Sequence, residues 1–491
     1  MDKYLKLILI LVLFAAKISV AQIIEFEHVY GGSGYDYGYS VTQTYDKGYA
    51  VAGSTSSSGS GSTDAYLLKT DSMGIMQWQK TFGGINIDQA YSIQETKDTG
   101  FVIAGFTNSF GQGGYDLYVI RTNRYGDTIW TKTYGGSNWD FAYSIQQTID
   151  SGFIITGGTY SFGKGYEDMY LVKINSIGDT IWTKTYGGIK DDEAKSVKQT
   201  KDGGYIITGF TKSFGDANGD FYTVKTNNVG DTLWTNKYGG IQEDDGYDVI
   251  EKYSGGYFIV GKTKSSGAGN FDGLLINMST TGLFIWSNLY GGTDDDGINS
   301  VKQSPGGRWG MAGYTYSYGF AGGASDFALY IENAGLHSTT FGGTNMEKAY
   351  SINNTKDNGY IICGYSSSYS NLDHIFLVKT DSNGVSPATP QVTLITSITS
   401  NIKPNTTFKI FPNPADGNVY LNFNSKGLSN NNSVTISIID MIGRKYYYQK
   451  INNMNTLEQI EINTSNLNTG IYIINIEGDN YSVNQKLIIE H

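Results

Sequence analysis

Tyr30-Gly31-Gly32-Ser33-Gly34-Tyr35-Asp36 opens a unit of the chain that runs to Thr81 and then begins again. The opening returns as Phe82-Gly83-Gly84, Tyr134-Gly135-Gly136, Tyr186-Gly187-Gly188, Tyr238-Gly239-Gly240, Tyr290-Gly291-Gly292 and Phe341-Gly342-Gly343, at intervals of 52 residues five times and 51 once. A repeat of this length is one supersecondary unit that cannot bury its apolar face alone, so seven copies must stack on one another. The repeat therefore decides the fold before any single residue can suggest a function.

Each unit holds four short runs rich in β-branched and aromatic residues: Tyr39–Thr44, Tyr49–Thr55, Ala65–Thr70 and Ile75–Thr81 in the first copy. Asp46-Lys47-Gly48 joins the first two runs and recurs as Asp98-Thr99-Gly100, Asp150-Ser151-Gly152, Asp202-Gly203-Gly204 and Asp357-Asn358-Gly359. Aspartate opens such a turn through its side chain, and glycine closes it. A second tight turn, ending at Gly74 in the first copy, joins the third run to the fourth. Four antiparallel strands repeated seven times predict an all-β fold, a seven-bladed β-propeller of four-stranded blades, followed by a small C-terminal β-sandwich. An open solenoid is the alternative, but no segment resembles a cap.

The ends of the array support the ring. The seventh unit supplies three strands, near Ala349–Thr355, Tyr360–Ser366 and His374–Thr380, and then runs into Pro387 and Pro390. Its fourth is missing, whereas Ile24–Val29 precedes the first unit, with Phe26 four residues before Tyr30 as Trp130 is before Tyr134. Residues 24–29 are thus expected to complete the last blade and remove two exposed sheet edges.

Composition sets the address. Lys3 and Lys6, the apolar run Leu7–Ala16 and Ser19-Val20-Ala21 read as a signal peptide over 1–21, too short to span a bilayer. No comparable run follows, so no transmembrane segment is expected in the mature chain. The propeller is assigned to 22–385, a linker to 386–405 and the sandwich to 406–491. Cys363, the only cysteine, takes a position held elsewhere by Ala52, Ala104, Thr156, Thr208, Val260 and Ala312, which describes a small buried packing residue. A formal charge of −11 with four arginines excludes a nucleic-acid partner.

The C-terminal region carries four ordered blocks: Phe411-Pro412-Asn413-Pro414, Ile438 to Arg444 with Gly443, Leu467 to Tyr472 with Gly470, and Lys486 before an apolar end. Together they resemble the C-terminal sorting domain of the Bacteroidetes type IX secretion system. The resemblance covers about the last fifth of the chain. It implies the secretion machinery as a partner, and a protein that is secreted or attached to the outer-membrane surface. His491 departs from the basic residue on which many members end, which puts that last contact in doubt.

In a four-stranded blade the loops after the second and fourth strands share one face. One ring of carboxylates falls there at Asp36, Asp88, Asp140, Asp192, Asp244 and Asp296, with Glu347 in the last unit. A second ring falls at Asp64, Asp116, Asp168, Asp220, Asp272, Asp326 and Asp373. Two readings stay open: loop-locking hydrogen bonds, or a hard cation such as calcium, with Asp192, Asp244 and Asp296 in the most acidic units. No Asp-x-Asp-x-Asp-Gly loop is present, and no other cofactor is implied. Tyr35, Tyr37 and Trp139, with Tyr115, Phe141 and Tyr166, offer rings for stacking on sugars, or for packing between blades. These residues and the first aspartate ring make up the candidate binding face.

No triad or arginine cluster marks a catalyst, and no catalytic residue is assigned. The function expected is a secreted or cell-surface binding or adhesion protein for a glycan or protein ligand. A lyase or glycosidase on the same scaffold, and a structural surface-layer component, are the alternatives.

Overall fold

The computed structural model describes residues 25–319, 324–332, 335–386, 391–394, 408–423, 434–440, 445–451, 459–478 and 481–490. The chain divides into two compact units, Met1–Thr396 and Ser397–His491. The signal-peptide assignment lies outside the described residues.

In the first unit, seven antiparallel sheets follow the repeat. Blade one takes Asp36–Gln43, Tyr49–Thr55, Asp64–Thr70 and Met76–Phe82 in that order, and each later blade repeats it. The inner strands contact one another in sequence, and that of blade seven, Glu347–Asn354, contacts that of blade one, so the ring is closed. Second and third strands are buried along all or nearly all of their length, wholly so in Tyr49–Thr55 and Asp64–Thr70. The reason is stacking on both sides: Ala50, Ala52 and Leu67 of blade one pack with Phe101, Ile103 and Tyr118 of blade two. Outer strands cover one side only. Three of their tryptophans meet the next blade edge-on, Trp78 against Phe101 at 6.1 Å, Trp130 against Phe153 at 6.3 Å and Trp182 against Tyr205 at 5.9 Å.

Phe26–Gly31 lies antiparallel to His374–Thr380 and is the fourth strand of blade seven. Val29 packs into the core between blades six and seven, Tyr30 into that between seven and one. The Tyr30 hydroxyl donates to the Gly74 carbonyl, as Tyr134 does to Gly178 and Tyr186 to Gly230. The closing junction thus repeats the ordinary one. Cys363 is buried in it, where burial pushes the thiol far up. One element differs from the sequence reading: Gln391–Leu394, assigned there to the linker, pairs in parallel with His28–Gly31 as a fifth strand. It covers the edge that Phe26–Gly31 would otherwise leave open.

The second unit is a sandwich of two sheets. One orders Phe408–Phe411, Asn418–Phe423 and Gln459–Asn463; the other orders Lys445–Ile451, Val434–Asp440, Gly470–Gly478 and Tyr481–Ile489. Val419, Leu421, Ile436, Ile474 and Leu487 fill the space between them.

Candidate functional site

Every inner strand carries one extra residue. Its pairing with the second strand slips between Gly38 and Ser40 in blade one, and at the equivalent place in the other six. Such a bulge turns its unpaired residue out of the ladder. The seven residues so turned are Tyr39, Tyr91, Tyr143, Lys195, Tyr247, Asn299 and Tyr350, and all seven line one central cavity of about 440 Å³. A glycine of the second strand makes each bulge fit: a Cβ at Gly105 would lie 1.8 Å from the Gln89 carbonyl oxygen. Five of the seven side chains are tyrosines.

Beyond this ring the mouth has two different halves. On one side the rings run outward from Tyr39 and Tyr350, 5.1 Å apart, and from Tyr91 through Phe106 to Tyr115 and Trp139. Trp139 ends the path half exposed. On the other side, blades four and five enclose a polar recess of about 560 Å³ that shares Lys195 and Tyr247 with the central cavity. Its charges are paired, Lys195 with Glu193 at 2.6 Å, Lys262 with Asp245 at 3.3 Å and Lys212 with Asp191 at 3.1 Å. Phe210 adds a ring to the wall and Asn218 an amide. Hydrogen-bonding groups of both senses beside apolar ring faces suit a polyhydroxylated ligand.

Glu167 stands at the boundary of the halves. It is buried, and the Tyr160 hydroxyl donates to it at 3.0 Å. Gly158 leaves the space, since a Cβ there would be 2.0 Å from Glu167 Oε1. Burial, then the charge of Glu193, pushes its carboxyl well above the usual range. Deeper in the channel, Ser40, Ser92, Ser144 and Ser351 each accept an N–H from the following blade. Asp248 replaces the serine in blade five. Burial opposes its charge, yet Lys302 and Lys198, with Ser196 and the Val301 N–H, hold its carboxyl far below the usual range. That makes it a fixed anion rather than a base.

The candidate aspartates lie elsewhere. Asp36 accepts the Gly32 N–H at 2.9 Å and the Ser57 hydroxyl at 2.7 Å, and the Thr55 hydroxyl as well. Asp88, Asp140, Asp192 and Asp244 repeat the set, and Asp296 takes Gly292 and Ser317. All six are at most 3% exposed. They lock the glycine loop and do not reach the mouth. Asp192, Asp244 and Asp296, considered for a cation, belong to three separate blades, and no group of three metal-ligating side chains occurs among the described residues. The second ring also needs correction at its last member. His374, facing Ser366, stands where Asp64 faces Thr55, because the preceding loop is one residue shorter. Asp373 instead accepts the Tyr37 hydroxyl at 2.7 Å.

Of the aromatic candidates, Tyr35 is half exposed in its loop and Tyr37 stacks on Tyr39 at 6.0 Å. Tyr37 thus borders the bulge ring, while Trp139 is linked to it through Tyr115 and Phe106. The ring itself was missed because Tyr39 reads as an ordinary strand residue. Its signal was present: a glycine at 53, 105, 157, 209, 261, 313 and 364, together with a tyrosine in five units out of seven at the position of Tyr39.

Opposed carboxylates predict an unusual acid response. Burial, helped by an aspartate across each blade junction, raises Asp64, Asp116, Asp220 and Asp272, Asp116 to about 6. Burial also acts on Asp46, Asp98, Asp150 and Asp202, but a threonine hydroxyl, a Lys or Arg and a glycine N–H leave them below the usual range. A raised carboxyl destabilises the fold while charged, and that cost disappears as pH falls through its folded value. A lowered one stabilises above its unfolded value of about 4 and loses this below it. The thermal midpoint should therefore rise from pH 7 to about pH 5 and fall below about pH 4 in calorimetric scans. A steady fall from pH 7 downward would contradict the assignment.

In the C-terminal unit the sequence blocks converge on the last strand. Asn413 Oδ1 accepts the Ile488 N–H at 2.8 Å, while the Ala415 N–H donates to the Ile488 carbonyl at 2.9 Å. Phe411 stacks on Tyr420 and precedes Pro412, and the turn they form with Pro414 leads to Ala415 in the core. Tyr472, two residues after Gly470, is buried with its hydroxyl on the Asn468 carbonyl at 3.0 Å. Lys486 pairs with Ile473 in the ladder, and Gly443 lies outside the described residues.

Residues 409–490 match the model of the Secretion system C-terminal sorting domain. The C-terminal unit is a secretion sorting domain. It marks the protein as secreted or attached at the cell surface, and implies interaction with the type IX machinery. No described helix is long and apolar enough to cross a membrane. The chain is also 25% identical over 338 residues to the Regulatory protein FlaEY of Caulobacter vibrioides, covering 55% of this chain and 35% of the relative. It thus spans about a third of that relative's length. Among solved structures, Sqt1 from Chaetomium thermophilum is similar at 10% identity and a TM-score of 0.41, over 94% of this chain and 98% of that one. The Pan2 WD40 domain of Neurospora crassa is similar at 8% identity and 0.43, over 73% and 100%.

Proposed function

We propose that the protein is an extracellular binding and adhesion module that takes a glycan at the loop-face mouth of its propeller. After removal of a signal peptide over 1–21, the sorting domain carries it out of the cell. The observation that carries the reading is the seven-bulge ring, which directs seven side chains into one cavity between an aromatic half and a charge-paired half. Stacking faces and hydroxyl partners there are held by strands, so little ordering is needed on binding. Without arginines or unpaired strand edges in the ring, the mouth fits hydroxyls better than phosphates or an extended peptide.

A glycan array with the full mature chain tests this. Specific retention that is lost in Tyr247→Ala and Tyr91→Ala, but kept in Ile241→Ser on the exposed loop, is the expected result. Retention insensitive to both tyrosines would remove the site, and no retention of any glycan would favour a structural surface component. One observation favours a carbohydrate-active enzyme as the second reading: burial and the neighbouring charge of Glu193 raise the Glu167 carboxyl, as suits the general acid of a glycoside hydrolase. Turnover of a retained glycan would identify it.

A further inference from the structure

We propose that the central cavity selects acidic glycans, seating the carboxylate of a uronic-acid residue on Lys348 while the bulge tyrosines hold the sugar ring. This rests on the reading of the mouth as a glycan site and specifies its ligand class.

Lys348 lies two residues before Tyr350 on the inner strand of blade seven, at the position held by Glu193 in blade four and Asp245 in blade five. Charge is therefore reversed at this one point of the ring. The lysines of the charged half are neutralised: Lys195 by Glu193 and Lys262 by Asp245. Lys348 makes no ion pair among the described residues. Its ammonium sits over Tyr314 at 4.2 Å and reaches Tyr350 at 5.8 Å, and it lines the central cavity half buried. Ring faces return part of what an ammonium loses with its water, and its donors make no hydrogen bond among the described residues. An anion arriving from the cavity would use them. Burial, then the charge of Lys262, brings Lys348 down to about 8, so most of it still carries a proton at neutral pH.

The chemistry of the cavity narrows the anion. One unpaired ammonium and no arginine suit a single negative charge rather than a phosphate, which calls for a fork of donors or several cations. Besides Lys195, which Glu193 neutralises, the surrounding groups are five tyrosines and Asn299, which offer ring faces and hydroxyls to a sugar but no apolar pocket to a peptide side chain. A formal charge of −11 does not prevent this, because at physiological salt charges are screened beyond about 8 Å, and Lys348 acts at contact.

Calorimetric titration of the full mature chain with tetragalacturonate and with its methyl ester, the same sugar without the charges, tests the proposal. The acid should bind at least tenfold more tightly than the ester. Lys348→Met should abolish that preference while still binding the ester, and Lys348→Arg should keep it; unchanged thermal midpoints exclude misfolding. Equal affinity for acid and ester, binding of neither, or a preference that survives Lys348→Met would overturn the proposal. A glycan array that retains neutral sugars alone would defeat it and leave the mouth as a glycan site. An array with no retention would defeat the mouth itself.

Discussion

Val29→Asp is expected to leave the mature protein without a cooperative thermal transition. Val29 is fully buried opposite Phe376, among Phe327, Phe341 and Ile362 of blades six and seven. A carboxylate there has no partner, and such a burial costs about 5 kcal/mol or more. A whole domain is stable by only about 5–15 kcal/mol. The site magnifies the loss, because Phe26–Gly31 is the one strand that closes the ring. Without it both the core of blades six and seven and that of blades seven and one open to water, as do the edges of His374–Thr380 and Gln391–Leu394. Deleting 24–29 should do the same. Tyr30→Phe, which removes only the bond to Gly74, should cost about 1 kcal/mol and leave a sharp transition. A near-native midpoint in Val29→Asp would mean that the ring closes without this strand.

Gly105→Ala is the second large effect, and it links the fold to the site. The added carbon would lie 1.8 Å from Gln89 O and 2.7 Å from Gln89 C. Both are backbone atoms of the bulged strand, so no side chain can swing aside. The ladder must open by more than 1 Å or the bulge must be lost, at a cost of about 3 kcal/mol. Tyr91, the residue the bulge turns inward, would leave the ring with it. Calorimetry and glycan retention should fall together. Gly306→Ala is the control, since its nearest neighbour is Ser304 Oγ at 3.9 Å, and its expected change is within about 0.5 kcal/mol. A neutral Gly105→Ala would mean that the bulge does not fix the ring.

Blade order was legible because it rests on spacing. The 52-residue interval, the hairpin of Asp46 to Gly48 and the offset of Phe26 from Tyr30 are all properties of a linear string. What a side chain faces is not such a property. Asp36 in a glycine loop reads as a loop lock or a cation ligand, but which groups enclose it depends on the following strand, which brings Thr55 and Ser57 round to it. Tyr39 reads as a residue of an ordinary alternating strand, and only the bulge, which depends on Gly53 in the neighbouring strand, turns it into the channel. His374 is hidden in the sequence by a one-residue change in loop length, which only the strand register reveals. Nothing in the sequence alone sets Lys348 apart from other charges near a strand start. Its isolation is visible only beside Glu193 and Asp245, which hold the same place in other blades.

Hydrogen–deuterium exchange on the full mature chain, with and without a glycan retained on the array, tests the central claim most directly. Ligand should slow exchange in the starts of the inner strands, Asp140–Gln147, Asp192–Gln199, Asp244–Glu251 and Glu347–Asn354, and in the loop holding Asn218. The outer strands, such as Thr128–Tyr134, and the sorting domain should be unchanged. Protection confined to the outer strands, to the hairpin face around Asp46, or to the sorting domain would contradict a binding site at the bulge ring.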